Sequence, residues 1–161
     1  MRTIEGLTSA AGFRFALVVS KYNDFVTERL QTGALAALTE AGADAKDIAV
    51  VRVPGAFEIP IAAQHAAESG QFDAVVCLGC IVRGETPHFE YLASAVSQGL
   101  TAAAAATRVP MAFGVLTTNS IEEAIARAGD GPSNKGWEAA AAAIEMVRVV
   151  AELMRPPARE A

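Results

Sequence analysis

Residues 73–82 read DAVVCLGCIV, and this stretch decides the fold. Its continuous apolar run is typical of a strand that other elements cover on both faces, because a strand with one wet face would alternate apolar and polar residues. Three further runs are predicted strands: 15–20 (FALVVS), 48–53 (IAVVRV) and 109–116 (VPMAFGVL). The sequence therefore predicts a sheet of buried strands.

Helical segments separate the predicted strands. The first helix is predicted to begin at Asn23 or Asp24, since either side chain can cap it, and to end at Gly42. The later helices are predicted at 60–70, 88–107, 120–129 (with Ser120 as its cap) and 135–154. Strands that alternate with helices form a parallel sheet with right-handed crossovers and helices on both faces. We expect an α/β fold, a three-layer α/β/α sandwich, in one domain over residues 1–161.

The two ends of the chain fit this unit less well. Residues 1–12 have no obvious partner within it and are predicted to form an N-terminal arm. The final residues, 155–161 (RPPAREA), are predicted to be a frayed tail.

Composition excludes several classes of function. Hydrophobic residues make up 52% of the 161 residues and charged residues 19%, which favours a domain that hides apolar surface against copies of itself. The net charge of −5, with no basic run, argues against nucleic-acid binding. No signal peptide or membrane span is predicted, and the two cysteines are expected to be free thiols in a cytoplasmic protein.

The loops that follow the predicted strands carry the candidate site. Ligands of open parallel sheets bind outside the carboxyl ends of the strands, which collects the loops 20–24, 54–58, 80–88 and 117–120. His88 can exchange protons near neutral pH, although an exposed histidine without a role is as good an explanation. The segment 83–87 (RGETP) can bind an anion at a helix start or can simply cap the helix.

Other candidates have ordinary explanations too. Arg127 can complement a helix C-terminus, and Lys135 with Glu138 can form a surface ion pair. The rings of Tyr22, Phe57 and Phe113 can stack on a flat heterocycle or pack in the core, and core packing is favoured for Phe113 within its strand. Glu58 can accept hydrogen bonds from a ligand or serve only the helix dipole.

The two cysteines spell C-x-x-C at Cys77 and Cys80. A redox pair normally opens a helix, whereas these residues lie three apart in a strand and face opposite sides of the sheet. The two histidines also lack zinc-ligand spacing. We therefore expect no redox pair and no metal site.

Five motifs together resemble one family. They are KYNDF (21–25), VPGAFEIP (53–60), GCIVRGETPHFEY (79–91), FGVLTTNSIEEAIARAG (113–129) and NKGWEAA (134–140). In this order and spacing they resemble 6,7-dimethyl-8-ribityllumazine synthases over about residues 12–153.

The resemblance implies a fold, a reaction and an assembly. Members condense 5-amino-6-(D-ribitylamino)uracil with 3,4-dihydroxy-2-butanone 4-phosphate, the penultimate step of riboflavin biosynthesis, without a metal or organic cofactor. The implied fold is a four-stranded parallel, flavodoxin-like sheet, with an N-terminal strand added to a neighbouring subunit. Active sites lie between subunits of a homopentamer. Some members assemble twelve pentamers into an icosahedral shell, and riboflavin synthase is an implied partner.

The family's site residues carry over motif by motif. The resemblance implies His88 for proton transfer, and Glu85, Thr86 and the neighbour's Arg127 for the phosphate. The implied uracil and ribityl pocket comprises Tyr22, Ala56, Phe57, Glu58, Cys80, Ile81, Val82 and the neighbour's Phe113, with Lys135 and Glu138 as weaker candidates.

Two departures and two alternatives qualify this prediction. The family commonly has Phe at Tyr22, which predicts altered affinity, and often Ala at Glu85, which matters little if the backbone makes the contact. A non-catalytic flavin-binding module is one alternative, although the loop SKYNDF (20–25) lacks the glycine of a phosphate loop. A shell-forming protein without activity is the other. Arg83 is not predicted to be catalytic.

Overall fold

A computed structural model describes residues 1–157 and contains in that range four parallel strands, five α-helices and two short 3-10 helices, Ala45–Asp47 and Ala56–Glu58. The strands are β1 (Phe15–Ser20), β2 (Ile48–Val53), β3 (Ala74–Val82) and β4 (Met111–Thr118). The helices are α1 (Asp24–Glu40), α2 (Ile59–Glu68), α3 (His88–Thr107), α4 (Ile121–Arg127) and α5 (Lys135–Met154). The predicted strands and helices are therefore confirmed.

The sheet has the order β2-β1-β3-β4, in which all neighbouring strands are parallel. This is the flavodoxin-like order, and the direction of strand addition reverses between β1 and β3. Crevices form at such a reversal because the connections leave the sheet toward opposite faces. The site is thus expected at the carboxyl ends of β1 and β3.

Two hydrophobic cores cover the two faces of the sheet. Helices α1 and α5 pack on the face that contains Leu17 and Leu78, and α2 and α3 pack on the face that contains Val18 and Val75. In β3 the residues 74–81 are all buried, which confirms the prediction from their continuous apolar run. The three-layer sandwich follows from this double coverage.

Strand β4 lies two residues later than predicted. The sequence analysis placed it at 109–116, whereas pairing with β3 begins at Met111 and continues to Thr118. Pro110 has no N–H to donate, and its carbonyl only accepts a hydrogen bond from the backbone N–H of Val75 at 2.9 Å. The shift brings the end of β4 level with the end of β3, because Val82 pairs with Thr118.

Asn134 anchors the start of α5. Its side-chain oxygen accepts hydrogen bonds from the backbone N–H groups of Gly136 (2.7 Å) and Trp137 (3.1 Å). Its amide donates to the carbonyls of Arg29 (3.1 Å) and Gly129 (2.8 Å). The residue is 2% exposed, so one fully bonded buried side chain holds α5 against α1.

The N-terminal arm corrects one prediction. Residues 1–12 were expected to lack a partner within the unit, yet Ala10 is fully buried and its N–H donates to the carbonyl of Ala41 at 2.9 Å. Arg148 of α5 donates to the carbonyls of Ser9 (3.1 Å) and Ala11 (3.3 Å). The arm therefore contacts α5 of its own chain, and its pairing as a strand with a neighbour stays a prediction.

At the other end, residues 155–157 of the predicted tail are exposed, and 158–161 lie outside the described residues. Within residues 1–157, no helix is both long and apolar enough to cross a membrane.

Candidate active site

A cavity of about 1100 Å³ opens at the carboxyl end of the sheet, beside β1 and β3. Backbone hydrogen bonds shape its rim, because the N–H groups of Lys21 and Tyr22 donate to the carbonyls of Val53 (2.8 Å) and Pro54 (3.0 Å). The cavity brings together most of the predicted site residues. Those that line it are Tyr22, Ala56, Phe57, Glu58, Cys80, Ile81, Val82, Thr86 and His88.

The cavity has a rigid wall and open aromatic rings. Cys80 and Ile81 lie near the end of β3 and are 3% and 4% exposed, so the sheet holds them in place. Tyr22 and Phe57 are 73% and 67% exposed, and their ring faces are free to stack on a planar heterocycle. Glu58 is half-buried beside them and can accept hydrogen bonds from amino or hydroxyl groups.

The start of α3 is suited to an anion. Its N-cap is Pro87, which offers no side-chain cap, and within residues 1–157 no hydrogen bond uses the N–H groups of Gly84, Glu85 or Thr86. Free N–H groups and the helix dipole together attract negative charge. His88 is the first residue of the helix and lines the same cavity. His88 therefore lies beside backbone N–H groups that are free to bind an anion.

Glu85 stands apart from this group. It is exposed, and the cavity lining includes Gly84 and Thr86 but not Glu85. Its side chain is therefore not part of the cavity wall, and only its backbone N–H remains a candidate contact.

The cavity lacks a cation of its own. Among the described residues that line it, none is Lys or Arg, and Glu58 is its one carboxylate. A phosphate monoester carries up to two negative charges and is bound best by charge-assisted hydrogen bonds. A phosphate in this cavity would therefore need an arginine or lysine from elsewhere.

The remaining predicted residues lie in a second, smaller groove of about 400 Å³ along β4. Its lining includes Phe113, Arg127, Lys135 and Glu138, and it shares no residue with the cavity. Phe113 is 51% exposed, so the interpretation of its ring as core packing is wrong. The reason is that β4 is an edge strand, and within residues 1–157 about half of the side chain stays uncovered.

The charged residues of the groove already have local partners. The guanidinium of Arg127 donates to the carbonyl of Glu123 at 3.0 Å, as expected for an arginine at a helix C-terminus. The ammonium of Lys135 pairs with Glu138 at 2.8 Å. An arginine has five N–H donors, so Arg127 keeps capacity for an anion while it bonds Glu123. The predicted helix C-terminal contact of Arg127 and the predicted ion pair of Lys135 with Glu138 are thus confirmed. Neither contact prevents these residues from binding a ligand.

Comparison with known proteins identifies the family. Residues 12–151 match the family model described as 6,7-dimethyl-8-ribityllumazine synthase. This chain belongs to that family. A protein of that name from Syntrophus aciditrophicus (strain SB) is 54% identical over 149 residues, which cover 92% of this chain and 97% of the relative. Another from Desulfatibacillum aliphaticivorans is 49% identical over 148 residues, which cover 92% and 96%.

Asn23 lines the cavity of this lumazine synthase family member, although the sequence predicted only a capping role for it. It was predicted as a side-chain cap of α1, yet it makes no such bond. Its backbone is left-handed (φ 59°), and its side chain donates to the carbonyl of Cys80 at 2.9 Å. Asn23 thereby ties the loop after β1 to the end of β3. The sequence carried one hint of this, since Asn adopts the left-handed conformation more readily than most residues.

The cysteines behave as the strand geometry predicts. Cys77 packs in the α2/α3 core and Cys80 in the α1/α5 core, and both are free. Burial raises the pKa of Cys77 to about 12 and that of Cys80 to about 11, so both are thiols at neutral pH. Residues 1–157 also contain no group of three or more His, Cys, Asp or Glu side chains that could hold a metal ion.

Proposed function

We propose that this chain condenses 5-amino-6-(D-ribitylamino)uracil with 3,4-dihydroxy-2-butanone 4-phosphate. The products are 6,7-dimethyl-8-ribityllumazine, inorganic phosphate and water, in the penultimate step of riboflavin biosynthesis. The observation that carries the proposal is the uncapped start of α3, where free N–H groups and His88 open into a cavity with exposed aromatic rings. Family membership supports the choice of substrates.

Each substrate has a matching part of the cavity. The uracil ring stacks on Tyr22 and is held beside Ile81 and Val82, while Glu58 and the backbone near Phe57 accept and donate hydrogen bonds to its polar groups. The phosphate of the second substrate lies at the N–H groups of 84–86 and the Thr86 hydroxyl. The reacting amine and ketone then meet next to His88.

The chemistry needs proton transfers and good positioning. The 5-amino group attacks the ketone, and loss of water forms an imine. A proton leaves carbon as phosphate is eliminated, and the ribitylamino nitrogen then closes the ring with loss of a second water. His88 accepts and returns protons in these steps, because it is the imidazole among the described residues that line the cavity. Holding both substrates in reacting geometry supplies the other large contribution.

We further propose that the site is completed by a second copy of the chain. The cavity has anion-binding N–H groups without a cation, and the groove has Arg127 and Lys135 with an exposed aromatic ring, Phe113. A neighbour's groove placed over the cavity would supply the missing charge and a second ring for the heterocycle. A closed ring of copies, here a pentamer, repeats this contact between every pair of neighbours.

Three finer expectations belong to the same proposal. They are a larger assembly of twelve pentamers, an association with riboflavin synthase and a cytoplasmic location. Sedimentation velocity separates a pentamer from a 60-subunit particle, and co-sedimentation with purified riboflavin synthase tests the partner. Fractionation of the producing cells tests the location.

The test of activity is direct. The protein is mixed with both substrates, and lumazine fluorescence and phosphate release are followed together. We expect both signals to rise in equal molar amounts and well above the uncatalysed rate. An unchanged rate contradicts the proposal, and tight binding of flavin mononucleotide without turnover would favour the non-catalytic binding module.

A further inference from the structure

Arg83 and Glu85 are the two charged residues of the RGETP segment, and neither lines the cavity or the groove. Arg83 is exposed, yet its guanidinium makes three contacts at once. Nε donates to the side-chain oxygen of Asn119 at 3.0 Å, a terminal nitrogen pairs with Glu90, and the guanidinium carbon lies 4.4 Å from the ring centre of Phe89. The hydrogen bond from Arg83 lowers the pKa of Glu90.

These contacts join two segments that belong to different parts of the site. Phe89 and Glu90 follow His88 in the first turn of α3, whereas Asn119 lies in the turn between β4 and α4. The backbone N–H of Arg83 also donates to the carbonyl of Thr118 at 2.8 Å. The contacts of Arg83 thus connect the residue before the loop 84–86 with the first turn of α3 and with the turn after β4. We call this set of contacts the bracket.

The second segment leads to the groove. The N–H of Asn119 donates to the carboxylate of Glu123 at 2.9 Å, and Ser120 caps α4 by accepting from the N–H of Glu123 at 3.2 Å. Helix α4 ends at Arg127, whose guanidinium donates to the carbonyl of the same Glu123. One residue therefore connects the start of α3 with the short helix that carries Arg127.

We propose that Arg83 is a positioning residue for the proposed reaction. It holds the 84–86 N–H groups and His88 in register with α4, and it touches no substrate itself. The loop 84–86 is exposed and makes no backbone hydrogen bonds within the described chain, so the bracket is what restrains it. Since a displacement of about 1 Å in a reacting group can slow a reaction many-fold, loss of the bracket acts on catalysis. This inference rests on the proposed function.

Stability distinguishes this role from an ordinary structural one. Exposed ion pairs contribute little to the free energy of unfolding. A matched control exists at the opposite end of the sheet, where Arg14 pairs with Asp73 at 3.6 Å and donates to the carbonyl of Gly70 at 3.3 Å. The side chains of Arg14 and Arg83 are 47% and 45% exposed. Arg14→Ala and Arg83→Ala should therefore lower the unfolding midpoint by similar small amounts.

The kinetic test compares Arg83→Ala, Arg83→Lys, Glu90→Gln and Asn119→Ala with Arg14→Ala. We expect Arg83→Ala to lower kcat/KM for the phosphate substrate about tenfold, and Arg14→Ala to leave it unchanged. Glu90→Gln and Asn119→Ala should each show part of the loss. Arg83→Lys should restore only part of the activity, because an ammonium lacks the planar fork that bonds two partners and stacks on a ring.

Deuterium exchange gives a readout that does not depend on activity. Arg83→Ala should speed amide exchange in both 84–92 and 118–123, whereas Arg14→Ala should change neither. Unchanged exchange together with unchanged kcat/KM would overturn the proposal. So would weaker use of the phosphate substrate in Arg83→Ala when Glu90→Gln and Asn119→Ala behave as wild type, since Arg83 would then act by its charge alone. If the wild type itself forms no lumazine, the proposed function fails, and the exchange comparison still decides whether the bracket exists.

Discussion

The cavity and the groove contain the same structural device, a helix N-terminus at the carboxyl edge of the sheet, and use it differently. Next to the groove, Asn134 is buried and caps α5 with two accepted and two donated hydrogen bonds. In the cavity, α3 begins at Pro87 without a side-chain cap. A cap satisfies the orphan N–H groups and stabilises the fold, whereas an open start leaves them for a ligand.

The two regions also differ in their positively charged side chains. The open helix start lies in a cavity without Lys or Arg among its described lining residues, and the capped one begins at Lys135 in a groove that also contains Arg127. Each region thus has what the other lacks. This complementarity is what the proposed site between two copies requires, and substitutions in each region test that proposal.

The largest effect is expected for the buried cap. Asn134→Ala removes four hydrogen bonds and leaves buried backbone groups unpaired, so the free energy of unfolding should fall by about 3–4 kcal/mol. Ser120→Ala is the control, because that cap makes one bond at a half-buried site, and it should cost about 1 kcal/mol. Thr86→Ala, at the open helix start, should cost less still. Denaturant titration measures all three, and equal losses would contradict the contrast between capped and open helix starts.

The cavity half is tested through its proton carrier. His88→Ala should lower kcat by about 100-fold, at the low end of what general acid–base catalysis supplies, with a small change in KM. His65, the other histidine, is exposed in the last turn of α2, and His65→Ala should match the wild type. Steady-state kinetics with both substrates measure kcat and KM of the two variants. A similar loss of kcat in both would show that His88 is not the proton-transfer residue.

The groove half is tested through its cation. Arg127→Ala should raise KM for the phosphate substrate about 30-fold, since a charge-assisted hydrogen bond contributes about 2 kcal/mol, while kcat changes less. Arg127→Lys should lie between, because it keeps the charge and loses the fork. A fall in kcat alone, as expected for His88→Ala, would show that the two halves are not divided into binding and proton transfer.

The smallest effect concerns the thiols of β3. Burial raises the pKa of Cys77 to about 12 and of Cys80 to about 11, from 9.0 in the unfolded chain. A thiol with a higher pKa in the folded chain than in the unfolded chain stabilises the fold. This stabilisation is fully present below pH 9 and is lost as pH rises, because only the unfolded chain then releases the proton. Each thiol should therefore remove about 1 kcal/mol of stability between pH 9 and pH 10.

Alanine variants test this pH dependence. Urea titration of Cys77→Ala and Cys80→Ala at both pH values should show a shallower fall in stability than in the wild type. An identical fall in variant and wild type would mean that the cysteines are not protected by burial. In that case Cys80 would be an open part of the cavity wall.

The sequence predicts the fold well and the site in part, for identifiable reasons. Long apolar runs such as 74–82 determine strands locally, and the cavity residues follow from the rule that loops at the carboxyl ends of strands meet. Phe113 was misjudged because exposure of an edge strand depends on what lies beside it, which a run of apolar letters does not reveal. Asn23 was misjudged because its side chain bonds Cys80, which lies 57 residues away in sequence.

The N-terminal arm and Arg83 show the same limit. The arm contacts α5 through Arg148, and Arg83 bonds Asn119, both over long sequence separations. Local patterns carry no information about such pairs. The predicted site residues of the cavity lie within residues 22–88 and those of the groove within 113–138, and only the folded chain shows that they line two separate surfaces.

Subunit mixing tests the central claim most directly. His88→Ala and Arg127→Ala proteins are unfolded together, refolded and assayed with both substrates beside each variant refolded alone. If the cavity of one copy meets the groove of the next, random mixing in a ring gives about a quarter of the contacts two intact halves, and activity should rise to about that fraction of wild type. If the mixture is no more active than the two variants alone, the two halves do not form one site between copies.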